Sequence, residues 1–211
     1  MPMKLKGNPV EDHLEELMSR VQGDKIFGIQ IVSTIDSEKM HVFVGTLTGA
    51  FWSAIKTAEY VYGTTVRQKY DLLLAEVMPP LDSNLYQLQK SLENCQRAVA
   101  DGGTILLFSS CHEGIGSTKF YKLADKWKPG MHLEGEEAFG SHKLVRVYDI
   151  GKRINVCLFS ELPDEIPEKV FFNPVRSPQG LLDSYFHGNE QATIGLVRDA
   201  SHTVLINSQD T

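Results

Sequence analysis

Cysteine is scarce in this chain: Cys95, Cys111 and Cys157 are the only three in 211 residues, and no two stand in a CxxC spacing. An odd number cannot pair fully within one chain, and the spacing gives neither a disulfide framework nor a zinc knuckle. Cys95 and Cys157 sit inside apolar runs and read as small buried hydrophobes, so a reducing, cytoplasmic setting is expected. The seven histidines form no HxxxH or HExxH pair, and no GxSxG elbow occurs, which removes the common zinc-hydrolase and serine-hydrolase signatures. Basic residues are outnumbered, 21 Lys and Arg against 27 Asp and Glu, for a net charge of −6 without a basic block. A nucleic-acid surface needs clustered cations to displace counterions, and an anionic membrane attracts the same clusters, so neither partner is expected. No apolar run approaches a membrane span, and the start, Met1-Pro-Met-Lys-Leu-Lys, lacks the apolar stretch of a secretion signal.

What is present is ordinary globular material, 42% apolar and 23% charged, enough for a buried core. Asn8-Pro9 opens a helix, with Leu14, Leu17, Met18 and Val21 at helical spacing and Gly23 as its stop. Residues 25–34 and 40–45 read as a β-hairpin turning at Asp36-Ser37-Glu38-Lys39, and residues 48–62 as a helix closed by Gly63. From Tyr70 the pattern changes. Residues 71–77, 104–109 and 154–159 are continuous apolar runs, the mark of strands buried on both faces. Between them lie helices over 84–100 and from 118 to about 127, with 134–139 and 143–149 also compatible with helix. Asp101-Gly102-Gly103 is read as a turn, Val170-Phe171-Phe172 as a short strand, and 178–186 as a helix. Residues 193–197 read as a last strand and 203–206 as an edge piece. This alternation predicts right-handed βαβ units and a three-layer α/β/α domain around a mainly parallel sheet. The expected organisation is a partial first-lobe segment over 1–66 (helix, hairpin, linker helix) and a C-terminal α/β lobe over 67–211.

In such a sheet ligands gather beyond the carboxyl ends of the strands. Two loops qualify, Met78–Asn84 and Ser110–Ser117. Behind the first, the apolar stripe Leu85, Leu88, Leu92, Cys95 and Val99 leaves Tyr86, Gln87 and Lys90 on the opposite side. Their spacing of three and four lets them converge on one ligand. Free N–H groups at the helix start would favour an anion there. A carboxylate could take a charged hydrogen bond from Lys90 and neutral ones from Gln87 and Tyr86. The plainer reading is a solvated polar face, with Asn84 and Gln87 as a capping box. In the second loop, Glu113 could accept a hydrogen bond from a substrate hydroxyl, while Gly114 and Gly116 allow close backbone approach or simply a tight turn. The full dinucleotide fingerprint is absent. Cys111-His112-Glu113 are consecutive, and three such residues rarely point at one ion, so no metal ligand set is expected.

Several stretches resemble, in order and spacing, the nickel-pincer-dependent lactate racemases and their relatives. They are Gly7-Asn8-Pro9-Val10-Glu11-Asp12, Val42-Phe43-Val44-Gly45, Ala58-Glu59-Tyr60-Val61-Tyr62-Gly63 and Tyr70-Asp71. The most specific is Asp82-Ser83-Asn84-Leu85-Tyr86-Gln87-Leu88-Gln89-Lys90-Ser91-Leu92, followed by Ala98–Ile105 and Cys111–Gly116. The resemblance covers nearly the whole chain but only the latter part of a family member. It implies a two-lobed enzyme with its site in the cleft. A nickel-pincer nucleotide tethered to a lysine accepts a hydride from the hydroxyl-bearing carbon, while histidines act as acid and base. Those residues belong to the first lobe and have no matching positions here. Tyr86, Gln87 and Lys90 match the family's YQxxK helix start, which holds substrate and cofactor anions; Glu113 and Gly114 are further binding candidates. The resemblance therefore implies the substrate- and cofactor-closing lobe of a 2-hydroxy acid or sugar racemase or epimerase, inactive by itself. The cofactor would be bound mainly by an N-terminal lobe or separate subunit. An apolar face within 1–66 would meet that lobe, or support self-association. The alternative is a non-catalytic α/β module binding a small anion or a protein. A methyltransferase, suggested by Met78-Pro79-Pro80-Leu81, fails for want of an acidic or amide residue before the prolines and of a glycine-rich cofactor loop.

Overall fold

The computed structural model describes residues 5, 7–21, 26–34, 38–131, 133, 135, 140–188 and 191–208. The expected helix stop at Gly23, Asp36 and Ser37 of the hairpin turn, and residues 134–139 apart from Gly135 fall outside that set. The chain divides into two compact units, Met1–Thr64 and Thr65–Thr211.

In the first unit, α1 (Pro9–Arg20) starts where Asn8 accepts the Val10 N–H in its side chain and Pro9 fills the first turn. Strands β1 (Gly28–Ser33) and β2 (Met40–Gly45) form an antiparallel hairpin, and α2 (Leu47–Tyr62) packs on it behind a Thr46 cap. Strand alternation sends Val32 into the packed side and Ile29, Ile31, Val42 and Val44 to the other. Those four pair directly, Ile29 with Val44 and Ile31 with Val42, and each is more than half exposed. The hairpin is thus apolar on both faces but covered on one.

The second unit is built on five parallel strands in the order β7-β6-β5-β4-β8. They are β4 (Tyr70–Glu76), β5 (Val99–Phe108), β6 (Asn155–Phe159), β7 (Asn173–Pro174) and β8 (Ile194–Val197). Leu72 and Leu73, or Ile105 and Leu106, are successive yet fully buried, which requires cover on both faces. One face packs against α3 (Leu85–Cys95), α4 (Thr118–Lys126) and α5 (Ser141–Gly151) through Leu73, Ala75, Ile105, Leu107, Val156 and Leu158. On the other, α7 (Pro178–Gly188) is anchored by the Tyr185 hydroxyl on Thr104 Oγ1 at 2.5 Å. The sheet's N-terminal end is tied by Asp71, which accepts from the Thr193 N–H and hydroxyl at 2.8 and 2.9 Å. Those bonds hold its carboxyl below the usual range. Among the described residues no helix is long and apolar enough to cross a membrane.

Four elements differ from the sequence expectation. The helix expected to reach residue 100 ends at Cys95, a 3-10 turn follows over Gln96–Ala98, and β5 already begins at Val99. Leu92, Cys95 and Val99 are apolar at a spacing that suits either structure, and pairing of Val99 with Tyr70 decides it. Arg153 fixes this start, donating to Val99 O at 2.8 Å and to Gln96 O at 2.5 Å. Asp101-Gly102-Gly103 is a bulge inside the strand rather than a turn: a Cβ on Gly103 would lie 2.8 Å from Asp71 O. The short strand expected at 170–172 lies at Asn173–Pro174, preceded by α6 (Glu165–Lys169), because Phe171 takes a left-handed φ of 70°. Finally, the expected edge piece is β9 (Val204–Asn207), which joins β3 (Gly63–Val66) in a separate two-stranded sheet, with Ser208 N–H on Val66 O at 3.2 Å.

Candidate functional site

The loop after β5 is laced onto the loop after β4 and the first turn of α3. Cys111 N–H donates to Asp82 O at 2.9 Å and Glu113 N–H to Ser83 O at 2.8 Å. Leu85 N–H then donates to Gly114 O at 3.0 Å, and Tyr86 N–H to Ile115 O at 3.2 Å. Asn84, 8% exposed, sits at the junction: its Oδ1 accepts the Gln87 N–H at 3.0 Å and its Nδ2 donates to Glu113 Oε2 at 3.1 Å. Glu113 and Gly114 thereby lie against Ser83, Asn84 and Leu85 at the start of α3, the helix that carries Tyr86, Gln87 and Lys90.

This lacing corrects one expectation. The first four N–H groups of α3, from Leu85 to Leu88, are all taken by Gly114, Ile115 and Asn84. No open backbone nest remains to receive an anion, so any anion must be held by side chains. The capping box is also half made: Asn84 caps Gln87, but the Gln87 side chain makes no return bond among the described residues.

The expected side chains differ in how free they are. Leu85, Leu88, Leu92 and Cys95 are buried as the stripe requires, and Lys90 is exposed on the far side without a hydrogen bond or ion pair among the described residues. Tyr86 is half-buried, its ring edge-on to Phe120 at 5.5 Å. Above that ring lies a residue the sequence reading passed over, Lys143 in the first turn of α5. Its Nζ stands 3.7 Å from the Tyr86 ring centroid and donates to Tyr86 O at 2.7 Å. Burial, and secondarily the like charge of Lys90, lower its pKa from 10.5 to about 8. The signal for it was in the sequence: a cation in the first turn has the wrong sign for the helix dipole. We expect the Lys143 Cε chemical shift, followed by NMR, to titrate near pH 8. Lys90→Ala should raise that midpoint only part of the way toward an ordinary lysine, because burial is the larger cause.

Beyond the carboxyl ends of β4, β5 and β6 lies a crevice of about 380 Å³ whose wall includes Glu76, Ser109, Ser110 and Glu161. None of the five expected site residues lines it. The neighbouring position, beyond β4 and β8, is closed by Ser201, whose hydroxyl donates to Met78 O and accepts from Met78 N–H, both at 2.8 Å. Asp199 accepts from the Ser201 and His202 N–H groups there and lies 3.0 Å from His202 Nδ1. No three His, Cys, Asp or Glu side chains converge on a metal position among the described residues. The thiols are poor ligands in any case: burial pushes Cys95 up to about 12 and Cys111 and Cys157 to about 11, so all three stay protonated at neutral pH.

Residues 73–138 match the family described as lactate racemase C-terminal domain, a span that contains Tyr86, Gln87, Lys90, Glu113 and Gly114. No curated protein matches the chain by sequence. Among solved structures, the lactate racemase apoprotein from Thermoanaerobacterium thermosaccharolyticum superposes with a TM-score of 0.78 at 19% identity, over 96% of this chain and 50% of that one. A protein from Thermotoga maritima superposes with a TM-score of 0.58 at 11% identity, over 95% of this chain and 54% of that one. At these identities the superpositions establish the shared fold, and the chain spans about half the length of either structure. Residues 73–138 are thus similar in sequence to a lactate racemase C-terminal domain, in a chain whose fold matches about half of the lactate racemase apoprotein.

Proposed function

We propose that this chain is the substrate- and cofactor-closing lobe of a two-lobed, nickel-pincer-dependent racemase or epimerase acting on a 2-hydroxy acid or a sugar. The observation that carries the reading is the match of residues 73–138 to a lactate racemase C-terminal domain, with Lys90 uncommitted on the exposed side of α3. On a hydroxy acid, the Lys90 ammonium pairs with the carboxylate while the Gln87 amide and Tyr86 hydroxyl add neutral donors. On a neutral sugar, Lys90 instead meets an anionic group of the cofactor. The Glu113 carboxylate, held on one oxygen by Asn84, can accept from a substrate hydroxyl with the other.

The described residues offer no ligand set for nickel. They do not fit the metal itself, and their role is limited to the charged periphery of a bound substrate or cofactor. The hydride acceptor and the acid and base are contributed by a first lobe. Its docking is supported by the uncovered hairpin face of Ile29, Ile31, Val42 and Val44, since contiguous apolar surface marks interaction sites. The same face could instead support self-association.

The test is enantiomer interconversion followed by polarimetry. The chain alone is expected to be inactive, and activity should appear when it is combined with a nickel-bearing first lobe. Turnover by the chain alone overturns the proposal.

A further inference from the structure

Lys143 is a cation in an unusual setting. It is half-buried in the first turn of α5, where the helix dipole disfavours a positive charge, and no carboxylate pairs with it among the described residues. One donor is spent on Tyr86 O and the ammonium lies over the Tyr86 ring, which leaves two donors. Lys90 stands one helical turn beyond Tyr86 in α3, on the residue whose N–H faces the carbonyl that Lys143 holds, and it spends no side-chain donor among the described residues. The joining of α5 to α3 does not require this arrangement, because Arg146 Nε already pairs with Glu93 Oε1 at 2.7 Å. Two neighbouring ammonium groups, with donors unspent and no counter-charge among the described residues, are stabilised together by one ligand: an anion carrying two charges. A single carboxylate would neutralise only one of them.

We propose that Lys143 and Lys90 form a two-amine site for a dianionic oxyanion, of the phosphate-monoester class, over the Tyr86 ring between α3 and α5. The inference rests on the proposed function in taking Lys90 as ligand-facing, and it extends that site to Lys143, which lies outside the matched span 73–138.

The test is calorimetric titration of the full chain with inorganic phosphate at pH 7.5 and fixed ionic strength, with acetate as the singly charged comparison. Phosphate is expected to bind one to one and more tightly than acetate. Lys143→Gln and Lys90→Gln should each weaken it by about tenfold or more, the loss of one charge-assisted contact. Lys122→Gln, on the exposed side of α4, should leave it unchanged. If Lys143→Gln does not fold by circular dichroism, Lys143→Arg serves instead, expected to retain phosphate binding and lose the titration near pH 8. Absence of one-to-one phosphate binding overturns the inference. Binding that depends on Lys90 but not Lys143 also overturns it, while leaving the proposed function standing; binding that depends on neither lysine counts against both. Glycerol phosphate and adenosine monophosphate identify the source. Preference for the first indicates a small phosphorylated substrate, preference for the second a nucleotide, and either upholds the site.

Discussion

Gly116→Ala is expected to destabilise the second unit by about 1.5–4 kcal/mol, the sum of a left-handed backbone penalty and a lost helix cap. Gly116 has a φ of +79°, a region L residues with a Cβ rarely occupy. A Cβ there would lie 2.5 Å from Asn84 Cγ, and closer still to Oδ1, the atom that caps Gln87. Asn84 is buried and hemmed in by Ser83 and Glu113, so it cannot swing aside without giving up the cap. Gly114→Ala is the internal comparison. Its φ is +75° but its Cβ would meet open space, so only the backbone term of about 1–2 kcal/mol should appear. Urea denaturation of the two variants checks this, through midpoints that fall in that order with unchanged slopes. Equal losses would mean that the contact with Asn84 contributes nothing.

Much of the frame was legible in the chain because it depends on period and composition alone. The run of Leu72, Leu73 and Leu74, short and bounded by polar residues, reads as a strand covered on both sides, and Leu85, Leu88 and Leu92 read as one face of a helix. Legibility failed wherever a distant partner decided a local choice. Val99 continues a helical stripe yet becomes a strand because Tyr70 lies opposite it. Phe171 leaves the β region although its neighbours Val170 and Phe172 are apolar and buried. At the site, the family-like motif drew attention to Tyr86, Gln87 and Lys90, and the loop after β5 does come to the start of their helix. The sealing of the α3 N–H groups by Gly114 and Ile115 has no local signature, since it is a contact between two loops about 30 residues apart. Lys143 was missed because a lysine on an amphipathic helix is ordinary until its position in the first turn is weighed against the dipole.

The sealed helix start concentrates the proposed chemistry on side-chain charge. With the first four N–H groups taken, nothing on the backbone of α3 can replace the Lys90 ammonium if it is removed. Lys90 is exposed and unpaired among the described residues, so its truncation should leave the fold intact and act on function alone. Loss of one charged hydrogen bond to a bound anion corresponds to about 1.5–3 kcal/mol, or roughly 10- to 150-fold in rate. The most direct measurement is therefore kcat/KM for enantiomer interconversion by the chain combined with a nickel-bearing first lobe, with and without Lys90→Ala. A fall of that size at unchanged thermal stability is the predicted result. An unaltered kcat/KM would contradict the account.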